Sequence, residues 1–65
     1  MKIYKFNNFI INLEEVNYIV KRQEYKDKYC LIFNMKNGSE FHSADESEEK
    51  IILKMDYIAK LMEED

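Results

Sequence analysis

Cys30 and His42 are the residues of this 65-residue chain whose types most readily suggest nucleophilic or metal chemistry, and each type occurs once. A Cys–His pair works as nucleophile and base when the side chains reach hydrogen-bond distance. A third group must also orient the imidazole, and donors must receive the oxyanion. The sole glycine, Gly38, belongs to a turn signal, so no glycine-rich loop supplies such donors. A buried cysteine acting as a small apolar residue explains Cys30 with fewer requirements. One Cys and one His fall short of a four-ligand structural zinc site, and a single Cys forms no internal disulfide. Adjacent acids occur at Glu14-Glu15, Asp45-Glu46 and Glu48-Glu49. On a regular strand Glu14 and Glu15 point to opposite faces, and the acids at 45–49 suit a helix start. No P-loop, dinucleotide fingerprint, HExxH or EF-hand pattern is present. The expectation is a protein that is not an enzyme and has no catalytic residue, cofactor or metal.

A basic stretch offers a different chemistry. Lys21, Arg22, Lys26 and Lys28 interleave with Tyr25 and Tyr29, a pattern that can grip phosphates and stack bases. Phosphate contacts dominate such affinity, yet the chain is net −3, and Glu24 and Asp27 dilute the patch. Nucleic acid is therefore not the expected partner. Charge is split along the chain: residues 1–38 carry seven Lys/Arg against four acids, and residues 39–65 carry three against nine. Such asymmetry marks a solvated helix or an interaction surface. No apolar run approaches the ~18 residues of a membrane span, and MKIYKFNNF lacks the apolar core of a signal peptide. A cytoplasmic protein without membrane contact is expected, in keeping with one unpaired cysteine.

The elements that must position these residues read as strands followed by a helix. MKIYKF (1–6) suits a first strand, Asn7-Asn8 a tight turn, and FIINL (9–13) a second strand. Glu14-Glu15 interrupts the alternation as a turn or a bulge, and VNYIVKR (16–22) resumes it with Val16, Tyr18 and Val20 aligned. QEYKDK (23–28) reads as a loop. YCLIFNM (29–35) is the clearest strand, with Tyr29, Leu31, Phe33 and Met35 at period two. Lys36-Asn37-Gly38 signals a hairpin. A three-residue turn with left-handed Gly38 would set Phe33 opposite Phe41, whereas a two-residue turn would set it opposite His42. The first keeps both apolar sets on one face and is the expected register. It also places Cys30 and His42 diagonally on the same face.

Ser43 with Glu46, or Asp45 with Glu48, has capping-box spacing for the final helix. The predicted architecture is α+β: one domain over 1–65, an antiparallel sheet of four to five strands in 1–43, and a helix over 44–64 packed on it. Ile51, Ile52, Met55, Ile58, Ala59 and Met62 form a core-facing band. Leu53, Tyr57 and Leu61 line up near the opposite side, beside Lys50, Lys54 and Lys60. So small a chain has a marginal core and usually needs a staple or a partner. The second apolar line, Leu53, Tyr57 and Leu61 with Lys54, is therefore read as an interface, either a homodimer contact or a contact with a target protein.

The stretch FIINLEEVNYI, followed by a strand, an NG turn, a strand and an acidic helix, resembles short proteins of Gram-positive bacteria and their phages. Those share an INL-x-x-V-x-YI opening before a hairpin and helix. Residues 11–44 resemble, more distantly, the LytTR DNA-binding domain, but without that family's basic loops. Lys, Asn and Ile make up 23 of the 65 residues, the bias of an AT-rich genome. By size and composition the chain looks like phage-encoded inhibitors of host defence proteins, the anti-CRISPR type included. The functional expectation is a non-enzymatic protein-binding module that blocks its target, with Asp45, Glu46, Glu48 and Glu49 as acidic target contacts. The alternatives are a LytTR-like regulatory or nucleic-acid-binding domain and a small-molecule-sequestering protein.

Overall fold

The computed structural model describes residues 2–5 and 10–63. Five strands and one helix appear in the order β1 (Ile3–Lys5), β2 (Ile10–Asn12), β3 (Val16–Tyr25), β4 (Lys28–Met35), β5 (Glu40–His42) and α1 (Glu48–Glu63). They form two antiparallel sheets, β1-β2 and β3-β4-β5, rather than the single sheet expected. The Asn7-Asn8 turn lies outside the described residues.

The break between the sheets is made by Leu13–Glu15, one turn of 3-10 helix whose first amide partner is local: the Asn12 side chain accepts from the Glu14 N–H. Glu14-Glu15 is thus a turn, while a bulge falls at Asn17. Val16 pairs with Met35 and Tyr18 with Asn34, so one residue is unmatched. The expected alignment of Val16 with Tyr18 and Val20 is lost, because an extra residue reverses the facing of everything beyond it. Val16 is buried, Tyr18 and Val20 face solvent, and Ile19 turns inward opposite Phe33. The segment 23–28, expected as a loop, mostly extends the strands. Gln23–Tyr25 ends β3, and the turn is confined to Lys26-Asp27.

The second hairpin follows the expected register. Phe33 pairs with Phe41, Asn34 with Glu40, and Gly38 is left-handed at φ 92°. Beyond His42 the ladder bends. The Ser43 N–H donates to the Leu31 carbonyl at 2.9 Å, but the Leu31 N–H is met by the Ser43 Oγ at 2.8 Å. A side-chain hydroxyl stands where a strand carbonyl would. Tyr29 and Glu46 then exchange both main-chain bonds, at 2.7 and 2.9 Å. These bonds hold Glu46 extended, so α1 begins at Glu48 rather than at 44. Neither Ser43 nor Asp45 caps it; the Ser47 hydroxyl accepts from the Lys50 N–H at 3.4 Å.

One cluster forms the core: Ile11, Leu13, Val16, Leu31, Phe33, Ile51 and Ile58, with Tyr4, Ile19, Tyr29, Met35, Met55 and Leu61 packed against it. The helix contributes Ile51 and Ile58 fully buried, flanked by half-buried Met55, Lys54 and Leu61. Ile52, Ala59 and Met62, expected in the core band, are exposed. The helix is rotated toward Leu61 because that flank meets a covering partner. Tyr4 of β1 lies 6.4 Å from the Phe33 ring and 6.1 Å from Tyr57.

Candidate functional site

Cys30 and His42 do share the solvent-facing side of β3-β4-β5, and the structure adds Glu24 to them. Their potential ligand atoms all lie within 4.8 Å of one another. Arg22, on the same face, donates from Nε at 3.0 Å and from a terminal nitrogen at 2.6 Å to Glu24 Oε1. The Cys30 Sγ donates to that same oxygen at 3.2 Å. His42 Nε2 lies 2.9 Å from Glu40 Oε1. The sequence does not single out Glu24, because 23–28 reads there as a loop; extending β3 through Tyr25 is what brings its side chain over Cys30.

The electrostatics oppose nucleophilic use. Burial, then the hydrogen bond to Glu24, pushes the Cys30 thiol up to about 11. With the thiol at about 11, only about one molecule in ten thousand carries a thiolate at pH 7. The Arg22 guanidinium, and after it the thiol, holds Glu24 below the usual carboxylate range. The thiol proton therefore bonds to a carboxylate that stays charged, not to the imidazole. A tetrahedral ion with ligands at ~2.0–2.3 Å needs its donors roughly 3.3–3.8 Å apart. Cys30 Sγ and Glu24 Oε1 already stand 3.2 Å apart, so any closing-in would fall to His42, and Arg22 would stand as a competing cation on Glu24. Hydrogen bonds thus tie Cys30 of β4 to Glu24 of β3, which Arg22 also holds, while His42 pairs with Glu40 within β5.

The helix presents the other candidate. Leu53 is 63% and Tyr57 57% exposed. Leu61, the third member of the expected line, is half-buried against the core, and Lys54 is half-buried in an ion pair with Glu46. Among the four acids, Glu46 is held by Lys54 and Glu48 by Lys21 at 2.6 Å, while Asp45 and Glu49 are exposed. Two of the four basic residues are similarly engaged, Lys21 by Glu48 and the Tyr29 ring at 5.4 Å and Arg22 by Glu24, while Lys26 and Lys28 are exposed. On the other flank of α1, Ile19, Met55, Ile58, Ala59 and Met62 line an open groove of about 180 Å³. Among the described residues no helix is long and apolar enough to cross a membrane. Compared with protein-family models, curated proteins and solved structures, the chain matches none.

Proposed function

We propose that this protein is a non-enzymatic binding module that acts by occupying the surface of another protein. The observation that carries this reading is the pairing of Leu53 and Tyr57, one helical turn apart and both more than half exposed. Tyr4 lies against Tyr57 and widens the platform. Two large residues at i and i+4 are the anchors of a helix laid into an apolar groove of a partner. Tyrosine is also enriched among residues that dominate binding energy, where truncation costs about 2 kcal/mol or more. Asp45 and Glu49, exposed near the start of the same helix, favour a partner whose groove is rimmed by basic residues.

The test is the double substitution Leu53→Ser with Tyr57→Ala, both at exposed positions so that folding is retained. A partner captured by the wild type and lost by the folded variant supports the reading; equal retention removes it. The finer proposal, a blocker of a host defence protein, rests on size and composition. Phage plating on a defended strain checks it: rescue by the wild type and not by the double variant supports it. Absence of rescue refutes it.

A further inference from the structure

Among the described residues, β3 is the longest strand and leaves one edge unpaired. Among the described residues β3 bonds to β4 alone, and β4 separates it from β5. The direction of its main-chain groups follows from the neighbouring strand. Tyr29 and Leu31 bond toward Glu46 and Ser43, away from β3. Hydrogen-bonding direction alternates along an antiparallel strand. Cys30, Ile32 and Asn34 therefore bond toward Arg22, Val20 and Tyr18, their pairing partners. That leaves the N–H and C=O groups of Ile19, Lys21 and Gln23 pointing outward. A row of outward amides on a long strand is a template for another strand.

We propose that the edge of β3 is a self-association surface, taking the β3 of a second copy antiparallel with Val20 on the two-fold axis. Elimination sets the register. Bulges interrupt β3 between Val16 and Tyr18 and between Gln23 and Tyr25, so regular pairing is confined to residues 18–23. A two-fold axis normal to the sheet passes through a residue facing its own copy, because directly opposed side chains must share a face. Centring on Ile19 runs into the bulge at Asn17. Centring on Lys21 opposes two like charges, which is unfavourable. Centring on Val20 keeps residues 18–22 of both copies in regular strand. Ile19 and Lys21 then exchange main-chain bonds with Lys21 and Ile19 of the second copy.

Both faces of that pairing are self-complementary. On the open face Val20, 38% exposed, meets its copy, and Tyr18, 54% exposed, faces Arg22 of the other chain, an aromatic–guanidinium pair. On the helix face the aliphatic stem of Lys21 lies beside Ile19, at the mouth of the groove formed with Met55, Ala59 and Met62. The charge of Lys21, an inward-facing lysine that would otherwise guard an edge, is already met by Glu48 at 2.6 Å. The opposite edge strand, β5, is three residues long, so pairing closes at two copies instead of growing. This surface lies on the far flank of the helix from Leu53 and Tyr57 and does not depend on the target-binding reading.

Sedimentation of the full chain tests it together with two changes at the edge. Chemical synthesis with an N-methyl amide at Lys21 removes one outward donor per chain and keeps every side chain. It is expected to weaken dimerisation by about tenfold or more. Val20→Cys in a Cys30→Ala background is expected to cross-link on oxidation, because opposed residues of a non-hydrogen-bonded pair stand within disulfide reach. Arg22→Cys, which faces position 18 of the other chain, is expected not to. A monomer at all accessible concentrations overturns the proposal. So does a dimer that ignores the N-methyl group, fails to cross-link at position 20 and dissociates with Leu53→Ser and Tyr57→Ala.

Discussion

Ser43→Ala removes a single oxygen whose role is structural and non-local. The hydroxyl accepts the Leu31 N–H at 2.8 Å across the bend that ends β5, and Ser43 is buried. Leu31 itself is fully buried, so water does not reach its amide when the hydroxyl is gone. A buried donor left without an acceptor costs about 1–3 kcal/mol. The second bond of Ser43, to the Ala44 carbonyl at 3.3 Å, adds little, since Ala44 is exposed and its carbonyl can turn to water. For a domain of this size each kcal/mol lowers Tm by about 4–8 °C, so a loss of roughly 5–20 °C is expected. Ser47→Ala is the control. It removes a hydroxyl of the same kind, but the bond at 3.4 Å is long and exposed, so its cost belongs at the low end of the ~0.5–2 kcal/mol range for caps. Thermal and urea unfolding followed by circular dichroism give both values, and amide exchange resolved by NMR reports on Leu31 directly. A Leu31 amide that exchanges no faster in Ser43→Ala than in the wild type would refute this role for the hydroxyl.

Three further outcomes follow from the same geometry. Ile58→Asp places a carboxylate at a site with 1% exposure and is expected to abolish cooperative unfolding, read as loss of a sigmoidal urea transition. Gly38→Ala meets open space but imposes a side chain at φ 92°, a strain of ~1–2 kcal/mol that a denaturation curve should register. Cys30 should alkylate far more slowly than a free thiol at pH 8, its folded value lying at about 11. Because the unfolded thiol ionises first, near the reference 9.0, its contribution to stability is intact below pH 9 and lost as pH rises toward 11. Comparing wild type with Cys30→Ala across that range isolates it from the lysines and tyrosines, and parallel pH profiles would contradict the assignment.

Local chemistry makes several elements legible from the order of residues alone. The alternation Tyr29, Leu31, Phe33, Met35 marks β4, because a half-buried strand needs period two. Gly38 marks a bulged turn, because few residues other than glycine accept a left-handed backbone, and that turn sets Phe33 against Phe41. It follows that Cys30 and His42 share a face. A C-terminal helix carrying buried Ile51 and Ile58 is equally readable from its spacing.

Contacts distant in sequence decide the rest. The helix starts as late as Glu48 because Glu46 exchanges main-chain bonds with Tyr29, a competition that no capping pattern reveals. Its rotation, which buries part of Leu61 and exposes Ile52, goes with Tyr4 packing on one flank, while Ile19 lines an open groove on the other. Glu24 joins Cys30 because β3 runs on through Tyr25, and Tyr18 faces outward because Asn17 is the unmatched residue of a bulge. That β3 pairs on one side alone among the described residues is likewise a matter of strand order, which the sequence does not encode residue by residue. Spacing along a chain prescribes which faces are apolar; which of them find cover is decided by the packing of segments far apart in sequence.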